Sequence, residues 1–559
     1  MWRKLALPFL AFLLVIVPAQ AEESNGPAGI EAALTQPSLI VDDIELNTEE
    51  LSDFYKLRQY RPVWETHGAI DHAALASFLA NVETFVAYHG LQPESYPVDW
   101  MKKLIANTNG ANSVKLELAG TDWLLRLAHD LHGDDLDLNQ LYPGWMFQRA
   151  PVDIAAGLAK AVDENRVHDF ITSLAPTSSA YTRLAEALKA YREKAQKGPW
   201  PVIAPGPKLM PGMHEPRVAQ MRARLAAEGY IEPAILPGAS NETYDSALFQ
   251  AVKNYQGRNG LKTDGHVGPM TFAAMNMPLK GRIEQIMANM ERLRHMPDSL
   301  PARYAAVNIA DTTVSIMDGG KLIYRGPVIV GRPDRKTPFI KSAIRSMIFN
   351  PAWHVPSKIA RKDILPKLRQ DPHYLEKLGF VINGSADDPY GDQIDWNRIR
   401  ESEFNFRLRQ SPGDMNSLGR LKFDFDNDFA VYMHGTPHQE LFDKDARYFS
   451  SGCIRLRDPD QFALLLLAGN DGGWTLDKIH DEVDQGKTHW LRISQPLPLY
   501  VVYWTVFTDD DGALNFRNDV YGYDRFLIDS LREENQPDNQ AESHTSPTTE
   551  NRQVTDKLQ

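Results

Sequence analysis

One cysteine in 559 residues is the first scarcity. A lone thiol excludes an internal disulfide framework. It leaves Cys453 as a small buried hydrophobe, half of an intermolecular bridge or a free reagent. Positive charge is also short: 60 Lys and Arg against 73 Asp and Glu give a formal net charge of −13. That balance removes the electrostatic footprint for nucleic acid and disfavours an anionic membrane surface. Apolar runs are missing beyond the N-terminus. There, Leu5 to Val17 follows Arg3 and Lys4 and precedes Ala19-Gln20-Ala21. This layout reads as a secretory signal peptide over 1–21, too short for a span of about 20 residues. Left uncleaved it would be an anchor to the inner membrane. No glycine loop for phosphate is present. In "HGTPH", His434 and His438 are set apart by Gly435 and Pro437, which disfavour the helix that would align them on zinc. "DFDND" and "DDDG" lack calcium-loop spacing. No metal or cofactor is expected.

What is present divides along the chain. Residues 22–40 are small, polar and Pro-containing and read as a linker. From 41 to 200 the periodicity is helical. Asn47 followed by Glu50 is a helix start, with Leu51, Phe54 and Tyr55 on one face, and "TDWLLRLAHDLHG" stops at Gly133. The histidines and carboxylates here are scattered and read as solvated helix faces on a helical scaffold domain. "KGPWPVIAPGPKLMPG" marks a boundary. Beyond it, 207–280 carries three short helical patterns, with Val218, Met221 and Leu225 on one face, Leu248, Val252 and Tyr255 on another, and Pro269 opening the last. A connecting helix is expected over 281–302. At Tyr304 the period becomes that of strands, broken by Asp318-Gly319-Gly320. The resulting mainly-β domain spans 303–497, with a mixed insertion laid over it at 355–428. A hairpin is expected over 498–532 and a polar, disordered tail over 533–559. The fold class is multidomain α+β.

Chemistry concentrates in "VYMHGTPHQELFDKDARYFSSGCIRLRDPDQF". His434 ends a strand-like run, and Cys453 follows 19 positions later after a polar loop. A cysteine nucleophile needs a nearby base or cation, usually histidine. Gly452 leaves room for a substrate carbonyl, and the N–H groups of Gly452 and Cys453 would meet a developing oxyanion. Arg455, two residues on, faces the same side in an extended run, where its charge favours thiolate or binds a carboxylate.

Two resemblances add to this reading. "AVKNYQ", "GLKTDGHVGPMT" and their surroundings resemble the peptidoglycan-binding domain type 1 family. The ordered set "VGRPDRKTP", "FNPAWHVP", "YMHG" and "SSGCIR" resembles the L,D-transpeptidase catalytic domain family, in particular its large periplasmic members. The family's hallmark is a histidine followed, after a loop, by Ser or Thr, a variable residue, Gly, Cys, an apolar residue and Arg or Asn. These fall on His434, Ser450, Ser451, Gly452, Cys453, Ile454 and Arg455, with Ser451 where the family often has His. The resemblance implies Cys453 as nucleophile and His434 as general base and then acid, oriented by the Gly435 carbonyl. It implies Ser451, Arg455, Tyr432 and Trp353 as substrate-binding residues, although a Trp flanked by Pro351 and Pro356 also reads as wall packing. It further implies periplasmic cell-wall synthesis and cell-shape roles, peptidoglycan stems as donor and acceptor, 3→3 cross-links between diaminopimelates, cell-wall synthesis proteins as partners, and acylation by carbapenems. With water as acceptor the same residues make a stem-peptide hydrolase; with a lipoprotein lysine, an anchoring transferase. A non-catalytic wall-binding protein would have no need of both His434 and Cys453.

Overall fold

A computed structural model describes residues 26–533, apart from 43, 68, 108–112, 135, 233–240 and 510. The signal peptide expected over 1–21 lies outside the described residues, as does the tail beyond Glu533.

The expected linker at 22–40 is in part structured: Pro27–Leu34 forms a helix, with Pro at its first turn and Ile30 and Leu34 buried, and Leu39–Val41 pairs with Ile44–Leu46. In the scaffold, Thr48–Leu57 starts where Glu50 N–H donates to Asn47 Oδ1 at 3.3 Å. Ser113–His132 is buried on most sides. Several scaffold carboxylates are therefore not solvated. Glu117 accepts from Tyr55 Oη at 2.6 Å and from the N–H groups of Val63 and Trp64 at 2.5 and 2.9 Å. A loop carried into the core needs acceptors for its N–H groups, and a buried carboxylate supplies them.

The 207–280 module has a core of its own around Val218, Met221, Leu248, Val252 and Tyr255. Its helices are Pro216–Glu228, Ser246–Arg258 and Pro269–Met275. The expected connector begins at Leu279 and is more than a connector. Leu279–Arg294 is a buried pillar, with Asn289, Arg292 and Arg294 almost fully enclosed. Arg292 donates to Asp524 Oδ1 at 2.5 Å and to Tyr142 Oη at 3.1 Å, joining the scaffold to the C-terminal segment. Enclosed guanidinium groups of this kind persist only when paired.

The sheet of the β domain contains nine described strands. In chain order they are β1 (Arg303–Asn308), β2 (Thr313–Asp318), β3 (Lys321–Gly331), β4 (Ile340–Phe349), β5 (Leu421–Phe425), β6 (Met433–His434), β7 (Tyr448–Ser450), β8 (Ile454–Leu456) and β9 (His489–Val502). The spatial order is β7-β3-β8-β6-β5-β4-β9-β1-β2, and a further β3–β2 pairing closes the sheet on itself. The β6–β8, β7–β3 and β9–β1 pairs are parallel. Alternation sets two faces. Phe423, Met433, Ile454, Leu456 and Val328 are buried on one, where Phe423 meets Phe462 of the helix Pro459–Leu467.

The insertion expected over 355–428 differs in extent. It begins with Trp353–His354, which pairs with Leu408–Gln410, and it has its own core around Leu365, Leu368, Phe380, Trp396 and Phe404. It ends before β5, because Leu421–Phe425 is a central strand with alternate side chains in the main core. The C-terminal segment also differs from a plain hairpin. β9 runs on to Val502, the hairpin is Val506–Thr508 with Leu514–Phe516, and Tyr523–Glu533 is a helix.

Candidate active site

Register brings the candidate residues together. His434 lies opposite Arg455 across the parallel β6–β8 pair, and Lys422 lies opposite His434 across β5–β6. Residues two apart share a face, so Tyr432 and His434 stand beside Cys453 and Arg455, with Lys422 at the edge. This polar patch is the reverse of the apolar face that carries Met433 and Ile454.

His434 is buried, and its Nδ1 lies 2.6 Å from Gly435 O. Nδ1 is then the protonated nitrogen and Nε2 the acceptor. Burial and the Arg455 guanidinium push the imidazole pKa down to about 3, against the pull of the Gly435 and Leu418 carbonyls. Cys453 is partly exposed. Burial of its sulfur raises the thiol pKa, opposed by the Tyr432 N–H, Arg455 and Lys422. The resting pair is therefore neutral thiol with neutral imidazole. Arg455 bears on Cys453 as its side-sharing position predicts, yet the net effect of the surroundings is the reverse of a standing thiolate.

The Tyr432 ring lies 5.6 Å from that of His434, tilted by 55°, and Lys422 Nζ lies 4.3 Å over the Tyr432 ring and 2.7 Å from Asp424 Oδ1. Burial, with the thiol beside it, drives the Tyr432 phenol well above its ordinary range. Trp353 packs on Phe380 of the insertion at 5.9 Å and also borders Tyr432, so it is at once wall and neighbour. Arg455 Nε is buried with no partner among the described residues.

The loop before Cys453 is held by residues that motif reasoning missed. Gly452 has φ +118, a conformation that suits glycine. Its N–H donates to Ser450 Oγ at 3.1 Å, and Ser450 Oγ donates to Cys453 O at 2.5 Å. This corrects the expectation for Gly452: its amide already has a partner in Ser450 Oγ. Thr337 is fully enclosed; its Oγ1 donates to Gly452 O at 2.8 Å and accepts from Gly331 N–H at 2.8 Å. Ser451 is exposed and accepts from Arg335 Nη1 at 2.9 Å, while Arg335 grips Asp363 of the insertion at 2.5 and 3.0 Å. The only hint in the sequence is that Arg335 and Thr337 fall within "VGRPDRKTP".

Comparison with known proteins finds three domains along the chain. Residues 302–472 match the L,D-transpeptidase catalytic domain, 49–188 a scaffold domain, and 214–275 a domain described as "Putative peptidoglycan binding domain". The chain thus joins a region similar to the L,D-transpeptidase catalytic domain to regions similar to a helical scaffold domain and a peptidoglycan-binding module. Among individual proteins, a Haemophilus influenzae chain named "Putative L,D-transpeptidase" is 32% identical over 312 residues, 51% of this chain and 62% of that one. This chain therefore spans less than two thirds of that relative's length. The solved Mycobacterium tuberculosis L,D-transpeptidase 1 is aligned over 36% of this chain and 61% of its own, at 15% identity and TM-score 0.15. An L,D-transpeptidase from Xylanimonas cellulosilytica is aligned over 54% and 99%, at 14% identity and TM-score 0.18.

Proposed function

We propose that the chain is a murein L,D-transpeptidase that forms 3→3 cross-links through a Cys453 acyl-enzyme. The observation that supports it best is a lone, partly exposed thiol at the entry to β8 set beside a buried neutral imidazole on the adjacent parallel strand β6. In this reading Cys453 Sγ attacks the carbonyl between diaminopimelate and the terminal D-Ala of a tetrapeptide stem as His434 Nε2 takes the thiol proton. General-base transfer at the moment of attack suits a pair that is neutral at rest. Cys453 N–H faces the oxyanion. The D-Ala amine leaves with the proton returned by His434. The side-chain amine of a second diaminopimelate then attacks the thioester, loses its proton to His434, and restores the thiol. Arg455, with a buried N–H still unpaired, suits a stem carboxylate. Tyr432, Trp353 and Ser451 border the approach. Gly435 O keeps the imidazole in one tautomer.

Peptidoglycan is accordingly both donor and acceptor, and the proposed compartment is the periplasm, reached by export. Among the described residues no helix is long and apolar enough to cross a membrane. The test is mass spectrometry of disaccharide-tetrapeptide after incubation with the protein. A dimer lacking one D-Ala and bonded between its diaminopimelates is the expected product. Tripeptide without dimer would replace cross-linking with hydrolysis.

A further inference from the structure

A cavity of about 590 Å³ opens between the module and the catalytic domain, away from the Cys453 patch. One wall is the outer side of the helix Ser246–Arg258, which presents Gln250, Lys253, Asn254 and Gly257. The other wall is Arg325 on β3, with Asp509 and Asn515 of the C-terminal hairpin.

Spacing puts the helix residues on one stripe. Gln250, Lys253 and Asn254 have no hydrogen-bond or ion-pair partner among the described residues; the Lys253 ammonium rests only against the Phe249 ring at 5.6 Å. Gly257 adds no side chain, and a Cβ there would meet nothing closer than Thr263 Cγ2 at 3.6 Å. The floor is thus open to a ligand. Arg258 is paired with Asp509, and Arg325 and Arg517 with the buried Asp311, which leaves Lys253 as the lining cation with no counter-charge among the described residues.

The cleft is preformed. Arg258 pairs with Asp509, Arg517 Nη1 donates to Arg258 O at 3.1 Å, and Gly260, at φ +64, lies against Arg517 where a Cβ would come within 2.4 Å of Cδ. Its direction is informative too. On β3, Tyr324 turns toward Phe462 on the apolar face, whereas Arg325 shares its face with Ile329, which lies opposite Arg455. Four residues of strand separate Arg325 from that register, roughly 13 Å at a strand's usual rise. The cleft and the Cys453 patch open on one side of one sheet.

We infer that this cleft binds a peptidoglycan glycopeptide, an N-acylated amino-sugar strand with carboxylate-bearing stems, on the same face of the sheet as Cys453. The inference rests on the proposed peptidoglycan function and adds where the strand is held. Gln250 and Asn254 serve acetamido and peptide groups, and Lys253 serves a carboxylate.

The experiment is retention of full-length protein on purified insoluble sacculi, with turnover of soluble disaccharide-tetrapeptide measured in parallel. Loss of one charge-assisted bond in Lys253→Glu should weaken retention about tenfold. Gly257→Phe, which fills the cleft without changing charge, should do the same. Both variants should keep the wild-type circular dichroism spectrum. If wild type is retained and both variants match it, the cleft is wrong and the peptidoglycan reading stands. If only Lys253→Glu weakens retention, diffuse charge explains it and the cleft is again wrong. If wild type is not retained and does not turn over the soluble substrate, both readings fall.

Discussion

Replacing Thr337 by valine keeps the shape of the side chain and deletes one oxygen. That oxygen donates to Gly452 O at 2.8 Å and accepts from Gly331 N–H at 2.8 Å, in a site closed to water. Two buried backbone groups are then orphaned, at about 1–3 kcal/mol each, for a total of about 2–6 kcal/mol. Tyr521 Oη, which accepts from Thr337 N–H at 3.1 Å and donates to Gly331 O at 2.6 Å, keeps the turn closed from its other side. Much of the penalty therefore falls on the Gly452 carbonyl, one peptide from the nucleophile. If about half the penalty is expressed as misplacement of Cys453, acylation slows by about 5- to 150-fold. The assay is the rate of covalent addition of a carbapenem to Cys453, followed by intact-protein mass spectrometry, alongside urea unfolding. Thr337→Ser retains the hydroxyl and should recover most of the rate. Acylation of the valine variant within about twofold of wild type, with unchanged unfolding, would refute the anchoring role of Thr337.

Cys453→Ala should abolish dimer formation while leaving the circular dichroism spectrum unchanged; residual turnover would remove Cys453 as nucleophile. His434 titrates near 3 in the fold against 6.5 in the open chain. Between these values the unfolded chain binds a proton that the native state refuses, so stability falls as pH drops through that window, by up to about 1.4 kcal/mol per pH unit. His434→Gln should flatten the pH dependence of the urea midpoint there, and an unaltered slope would show that His434 is not held neutral. Because burial raises the Cys453 thiol, alkylation by iodoacetamide should climb steadily from about pH 6 to 9. A plateau near neutrality would mean a standing thiolate–imidazolium pair. Lys422→Met removes a cation that lowers the thiol pKa and should slow alkylation several-fold at pH 8.

The patch was legible where chemistry follows local pattern. Strand alternation alone put Arg455 on the side of Cys453, and Asn47 and Pro269 announced their helices through capping and first-turn preference. Non-local facts were not legible. Glu117 is buried because a loop more than 50 residues earlier brings it N–H groups. The bonds of Thr337 and of Arg335 cross more than 100 positions. Gly452 N–H was misassigned because the hydroxyl that takes it belongs to Ser450, a residue read only as part of a motif. The helix Tyr523–Glu533 was hidden by the turn residues before it, although Phe526, Leu527 and Leu531 repeat at helical spacing.

The pillar Leu279–Arg294 gives the molecule the character of a jig. Its guanidinium groups are locked to the scaffold and the C-terminal segment, and Arg282 reaches Asn259 Oδ1 in the module at 2.6 Å. Swinging one part relative to another would strip partners from enclosed cations, a heavy penalty. The tool therefore keeps its dimensions, and it is the workpiece that must come to gauge. Two strands of a mesh would be stitched only where they already pass at the offset this frame sets.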